Sequence, residues 1–325
     1  MLSNNTKINE SNEVEIIKCE NPEGHFVQYL EKDEFLKAIS KVNLTTSSLL
    51  ENSLPLFLPL KRIELSNIYK KFVKNNQILE IKTDLFDKVE VRGRLLGQRH
   101  KDILEVLLNY PKNFSRREHS FHVILTAYDL KRKLHKQKDK NQIIQQLKEL
   151  SEFRLNVYST NGSEQKIDYN FGFIDSVSII DENRIKVRFT QEYTYFLAGT
   201  KALQHRDYID DIVKIDRLSS KWSKELDLKS HKINPDFIKA VVRFMINNDG
   251  KNSQIRIDNL IEKLNLKEML SESQLSNYIT DLKRENVQEY LREKFGISLT
   301  NNEQTLTFSS LKDKKKYLVN GDKDV

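Results

Sequence analysis

The stretch TAYDLKRKLHKQKDKNQIIQQLKELSEFRLNVYSTNG, residues 126–162, decides the fold because the hydrophobic period changes inside it. As far as Leu150 the apolar residues recur every three or four positions, as on one side of a helix; from Phe153 they alternate, as on a strand. Thr126 and Asp129 have the spacing of a capping pattern, which starts a short helix with Leu130 and Leu134 turned inward. Asp139 can cap a second helix, with Ile143, Ile144, Leu147 and Leu150 inside and Asn141, Gln142, Gln145, Gln146 and Lys148 outside. Phe153, Leu155 and Val157 then lead to Asn161-Gly162, a strong two-residue hairpin signal, and KIDYNFGFI (166–174) returns with Ile167, Tyr169, Phe171 and Phe173 alternating. A turn at DEN precedes a third strand, RIKVRFT (184–190), with Ile185, Val187 and Phe189 on one face.

Upstream, RLLGQRHKDILEVLLNYP (94–111) places Ile103, Leu107 and Tyr110 on one helical face with Leu104 and Leu108 beside them, and Pro111 ends it. Three helices and a hairpin give the order of a winged-helix domain.

The C-terminal part repeats that order without repeating its letters. KWSKELDL (221–228) offers Trp222 and Leu226 one turn apart. Asn234-Pro235 is an N-cap followed by a proline at the first helical position, with Phe237, Val241 and Met245 aligned behind it and Gly250 as the stop. IRIDNLIEKL (255–264) reads as a short strand and a short helix capped by Asp258. SESQLSNYITDLKRE (271–285) opens with a Ser271–Gln274 capping box, buries Leu275, Tyr278, Ile279 and Leu282, and exposes Ser273, Ser276, Asn277, Lys283 and Arg284. ISLT and TLTF alternate around the tip NNEQ, a second candidate wing.

The expected class is therefore α+β, with two tandem winged-helix domains behind an N-terminal extension. The expected division is 1–88 for the extension, 89–205 and 206–311 for the two domains, and 312–325 for a disordered charged tail. Within the extension, residues 1–20 are polar and read as disordered, and HFVQYLEKDEFLKAISKV (25–42) has helical spacing. Pro55 and Pro59 hold 54–60 extended, as an apolar strap rather than an interior strand or a helix.

Composition narrows the function. The chain has 325 residues, 31% charged and 38% hydrophobic, with 16 Phe and 12 Tyr, enough to build globular cores for two domains. One cysteine, Cys19, excludes a disulfide framework or a thiolate metal cluster within the chain. The N-terminus lacks the basic and apolar regions of a signal peptide, and no run of 18 apolar residues occurs, so a cytoplasmic protein outside the membrane is expected. The formal charge of +7 is uneven: residues 91–160 hold 15 Lys and Arg against 7 Asp and Glu, whereas 1–90 hold 12 against 14 and 161–325 hold 27 against 26. A concentrated basic block with no accompanying apolar face points to nucleic acid ahead of a membrane surface.

In a helix-turn-helix the second helix presents its N-terminal residues to base edges while the preceding turn and helix end meet phosphates. Asn and Gln suit adenine, because each can donate to it and accept from it in one plane. Lys131, Arg132, Lys133, Lys136, Lys138 and Lys140 are accordingly assigned to phosphates, and Gln142, Gln145 and Gln146 to the groove, with Asn141 near the helix start. A solvated loop followed by a polar helix surface is the competing reading. Ser273, Ser276, Asn277, Lys283 and Arg284 form a second, weaker candidate interface, and Arg116 and Arg117 could add phosphate contacts.

The proline-punctuated LPLFLP (54–59), the following LSNIYKKFVKN (65–75) and VRGRLLGQRHKDILEVLL (91–108) carry a family likeness. Together with the tandem layout over 54–310, they resemble the plasmid replication initiators that bind iterons, in particular the TrfA-like branch. The resemblance implies cooperative binding of double-stranded DNA at direct repeats of a plasmid origin and melting of a nearby AT-rich region. It also implies recruitment of the host replication initiator and the replicative helicase, and exchange between monomers and a homodimer formed through the first domain.

Enzyme readings are weaker. There is no G-x-x-x-x-G-K-[ST] loop for ATP and no H-E-x-x-H. His119 and His122 in EHSFH lack further ligands and read as strand or loop histidines, and Asp207, Asp210, Asp211 and Asp216 read as polar positions of an interdomain linker rather than a magnesium site. Tyr193 and Tyr195 read as core or interface aromatics. The expectation is a non-enzymatic DNA-binding initiator without cofactor or metal, with a winged-helix transcriptional regulator second and a metal-dependent nicking initiator third.

Overall fold

The computed structural model describes residues 47–48, 54–81, 87–115, 120–135, 140–161, 164–199, 202–203, 206–228, 232–247, 254–300, 302 and 304–309. The expectations for 1–20, 25–42, Asp139, Gly250 and the tail fall outside them. In chain order the elements begin with β1 (Ser47–Ser48), β2 (Phe57–Leu58), a 3-10 turn (Ile63–Leu65), α1 (Asn67–Lys74), β3 (Ile78–Ile81), β4 (Lys88–Arg92) and β5 (Leu96–Gly97). They continue with α2 (Gln98–Leu108), β6 (Asn113–Ser115), β7 (Ser120–Thr126), α3 (Ala127–Lys133), α4 (Lys140–Glu152), β8 (Arg154–Asn161), β9 (Glu164–Phe171), β10 (Ile174–Ile179), β11 (Arg184–Phe189), α5 (Gln191–Gly199) and β12 (Ala202–Leu203). The last are α6 (Arg206–Glu225), α7 (Pro235–Asn247), β13 (Gln254–Arg256), α8 (Ile257–Lys263), α9 (Leu266–Met269), α10 (Glu272–Lys283), α11 (Glu285–Phe295), β14 (Ile297–Thr300) and β15 (Thr305–Phe308). Helices and sheets are mixed, as an α+β class requires.

The chain forms two compact units, neither continuous in sequence. Of the described residues, one unit comprises 47–48, 87–94 and the described part of 103–206; the other comprises 54–81, 95–102 and the described part of 207–309. The strap with α1, and the residues from Leu95 to Asp102, group with the C-terminal unit.

In the first unit, β4, β8 and β9 pair antiparallel, and a separate antiparallel sheet runs in the order β10-β11-β7-β6. The Asn161–Glu164 register closes the expected hairpin. The run KIDYNFGFI does not continue as one strand, however, because it divides at Gly172. A Cβ there would lie 2.7 Å from the Phe153 carbonyl oxygen and 2.4 Å from the Arg154 guanidinium, so only glycine admits this approach. The strand that follows, β10, pairs with β11, and β11 pairs with β7 instead of the hairpin. The core joins both sheets' apolar residues: Phe153 stacks on Phe173 at 4.7 Å, and Tyr193, on α5 and fully buried, meets Phe171, Phe173 and Phe189.

Beside this core, Glu90 is buried and accepts hydrogen bonds from Tyr158 and Arg92 at 2.7 Å each, with the Lys88 ammonium 2.8 Å away. Burial raises its pKa, but the hydrogen bonds from Lys88, Tyr158 and Arg92 outweigh this and lower it to about 2.

The second unit gathers α6 to α11 around Phe237, Val241, Met245, Leu260, Leu282, Leu291 and Phe295, with a three-stranded antiparallel sheet ordered β13-β15-β14. Asn234 caps α7, its side chain accepting from the Asp236 amide at 3.0 Å. Three expectations are corrected here. Residues around Asp210, Asp211 and Asp216 are not a linker: they lie in α6, whose Ile209, Ile212, Val213 and Ile215 are buried on its apolar side. Leu226 is exposed, so Trp222 anchors that end without it. Asp258 does not cap α8, which starts one residue earlier, with Arg256 at the cap position and no side-chain cap bond. Helix α11, which the sequence reading passed over, ends at Gly296 with φ 70°, the left-handed conformation glycine adopts without penalty.

The strap is extended: β2 pairs parallel with β5, and Leu54, Leu56, Phe57, Leu58 and Leu60 are buried. Gln98 Nε2 donates to the Phe57 carbonyl at 2.6 Å, and the Lys101 ammonium lies 5.1 Å from the centre of the Phe57 ring. Below them is a buried charge cluster. Lys239, 0% exposed, reaches Asp102 and Asp216 at 2.6 Å each. Arg243 donates to Asp102 Oδ1 at 2.9 Å and to Gln98 Oε1 at 2.6 Å. Burial would lower the Lys239 pKa, but Asp102 and Asp216 raise it overall, so the ammonium stays charged.

Removing Asp102 would leave two buried cations short of a carboxylate. Asp102→Ala is expected to destabilise the protein by about 3–5 kcal/mol in urea denaturation; a change under about 0.5 kcal/mol would show that the cluster is not structural. Because the Glu90 pKa is lowered on folding, its contribution is full above about pH 4.5 and is lost as the pH falls towards 2. Glu90→Gln should therefore flatten the fall in stability across that window, measured by thermal melts at successive pH values.

Candidate nucleic-acid interface

The capping expectation places α3. Thr126 Oγ1 accepts from the Asp129 amide at 3.0 Å and donates to the Asp129 carboxylate at 2.8 Å, so the helix starts at Ala127. Leu130 and Leu134 are buried, and His135, at φ 47°, turns the chain out of the helix. Helix α4 buries Ile143, Leu147 and Leu150, with Ile144 half-buried.

Asn141, Gln142, Gln145 and Lys148 lie on the exposed side of α4, and Gln145 reaches Glu149 at 3.4 Å. Gln146 is half-buried, and its Oε1 is enclosed without a hydrogen-bond partner. It therefore faces the protein more than its neighbours do.

The basic residues before α4 are partly engaged within their own unit. Lys131 is half-buried; Arg132 is exposed and pairs with Asp129 at 3.3 Å; the Lys133 ammonium lies 4.5 Å from the centre of the Tyr110 ring. Burial pushes the Tyr110 phenol up to about 12, so the ring under Lys133 stays neutral. The Lys140 ammonium donates to the Glu182 carbonyl in the turn between β10 and β11. The Arg132–Asp129 pair is exposed and contributes little, ~0–1 kcal/mol. Lys136, Lys138, Arg116, Arg117 and His119 fall outside the described residues. His122 is on β7, opposite Asn113 and Arg188.

In the second unit the Ser271–Gln274 capping box is complete, each residue's side chain bonding the other's backbone. Ser273, Ser276 and Asn277 are exposed on α10. An open recess of about 420 Å³ follows the same helix, lined by Glu272, Leu275, Ser276, Ile279, Thr280 and Lys283. Arg284 is tied into the fold, since its Nε bonds Asp281 at 3.1 Å, and that fully buried carboxylate also accepts from the Asn234 amide at 3.3 Å.

Among the described residues no group of three His, Cys, Asp or Glu is arranged to hold a metal, and no helix is long and apolar enough to cross a membrane. Sequence reasoning missed the cluster around Lys239, although Lys239 and Arg243, one turn apart in the apolar run DFIKAVVRFM, were its signal.

No protein family and no curated protein matches the sequence. Among solved structures, the crystal structure of domains 2 and 3 of RctB matches with a TM-score of 0.45 and 10% identity, covering 72% of this chain and 90% of that one.

Proposed function

We propose that the chain is a sequence-specific reader of double-stranded DNA that binds repeated sites at a plasmid origin and initiates replication there without catalysing a reaction itself. The observation that carries the DNA reading is the exposed amide row Asn141, Gln142 and Gln145 on α4, directly after the cationic end of α3. Amides on a helix can read adenine in a major groove, and cations before the helix can hold the backbone.

The second unit supports a tandem arrangement. A helix, a strand, further helices and a hairpin follow one another there, with β13 beside β15 in the sheet, which is the order of a winged helix. Ser273, Ser276 and Asn277 on α10 are its candidate contacts. Two such modules on one chain bind a longer site than either alone, since tethering raises the effective concentration of the second. Direct repeats, contacts to a host initiator and helicase, and a dimer through the first unit rest on the resemblance of LPLFLP, LSNIYKKFVKN and VRGRLLGQRHKDILEVLL to the iteron-binding initiators.

Gln142→Ala with Gln145→Ala is expected to relax base preference, each bidentate amide–base pair removed reducing discrimination by about 1–3 kcal/mol, with the salt dependence unchanged. Lys131→Ala with Arg132→Ala and Lys133→Ala should instead weaken binding to all duplexes and flatten the salt slope by about 0.9 for each phosphate no longer neutralised. Both are read from affinities for a preferred and a scrambled duplex at several salt concentrations. An unchanged base preference in the amide variant would remove α4 as the reader.

A further inference from the structure

The sequence KRIELSNIYKKFVKNNQ, residues 61–77, contains five cations and one carboxylate, Glu64. Acidic residues elsewhere in 1–90 outweigh this excess, so that span as a whole is slightly acidic. In the structure Lys61, Arg62, Lys70, Lys71 and Lys74 are all exposed, and none of the five forms an ion pair with a described residue. They stand on a firm base. Ile63 in the 3-10 turn and Ile68 and Phe72 in α1 are buried, and Ser66 caps the helix by accepting from the Tyr69 amide at 3.2 Å. Helix α9 and strand β3, which pack on α1, add the exposed Lys267, Glu268 and Glu80, so with Glu64 the surface holds six cations against three carboxylates and stays net cationic.

We infer that this surface of the second unit is a sequence-independent clamp for the phosphate backbone of duplex DNA, separate from the reading helices. The inference rests on the DNA-binding reading. Lys70 and Lys74 are one turn apart with Lys71 beside them, so their charges form a compact row. Helix stability explains only part of the pattern: Lys71 and Lys74 in the last turn favour the helix dipole, but Lys61 and Arg62 precede the N-terminus, where cations oppose it.

Charge complementarity then decides the partner. A membrane-surface helix needs its apolar stripe free, and here Ile68 and Phe72 are buried in the protein, leaving only Leu65 and Val73 exposed. A single-strand binder needs exposed rings for stacking, whereas Tyr69 is half-buried with its ring 6.2 Å from that of Phe72. A regular polyanion that asks only for cations on a rigid support matches what remains.

The test is the affinity of the full chain for a labelled duplex of random sequence, titrated with salt, for the wild type and for Lys70→Gln with Lys71→Gln and Lys74→Gln. The expected result is a salt slope flatter by about 2–3 in the variant. A second variant, Lys61→Gln with Arg62→Gln, lies outside α1 and should flatten it by about 1–2 without touching the helix. Circular dichroism of both variants checks the fold. If the wild type binds duplex and both variants keep its slope, the clamp is overturned and the DNA reading stands. If the wild type binds no duplex, both fall. Loss of binding to phosphatidylserine vesicles or to polyglutamate, with the duplex slope intact, would assign the surface to another partner and also overturn the clamp.

Discussion

A lysine ammonium with no access to water dictates how the second unit is built. Lys239 has to find carboxylates inside the protein, and it finds two that are remote in sequence, Asp102 and Asp216. Asp102 is itself buried and needs a second cation, which Arg243 supplies, and Arg243 in turn takes the Gln98 side chain. Each partner left out would strand a buried charge, so the start of α2, α6 and α7 form one set. Gln98 extends that set to the strap by bonding the Phe57 carbonyl. The unit that carries α10 therefore includes segments that precede most of the other unit in the chain.

The same arrangement presents α1. Burying Ile68 and Phe72 against the second unit leaves the lysines of α1 as its outer surface. A cationic surface held this way makes few demands on sequence, while an amide row such as that of α4 makes strong ones. On the function proposed above, the first would hold DNA through its phosphates and the second would choose the site.

Local rules in the sequence carried much of this structure. Thr126, Asn234 and Ser271 cap helices where their spacing said they would, because a cap is decided by neighbours within a turn. The pairing that closes at Asn161 and Glu164 and the pairing of Thr300 with Thr305 follow from turn chemistry and alternation in the same way. Pairing between distant strands was not readable: nothing near β11 says that it will join β7 rather than the hairpin. Helix α11 has a legible pattern, since Val287, Leu291 and Phe295 recur every fourth residue before Gly296. At the candidate interface, spacing separated inside from outside on α4 but could not place Gln146, whose exposure depends on what packs beside it. The reading of Asp210, Asp211 and Asp216 as linker failed because acidic residues looked like solvent-facing loop. In fact Asp216 is bonded to Lys239, and Lys214 pairs with Asp210 and Asp211 along α6.

Whether one chain reads an extended DNA site can be decided by selecting bound sequences from random duplex DNA with the intact wild-type chain and footprinting the recovered site. A defined, asymmetric site of about two helical turns is expected, with protection weakening steeply as salt rises. Absence of any sequence enrichment would contradict it, and a palindromic site bound by a stable dimer would contradict the reading of direct repeats by one chain.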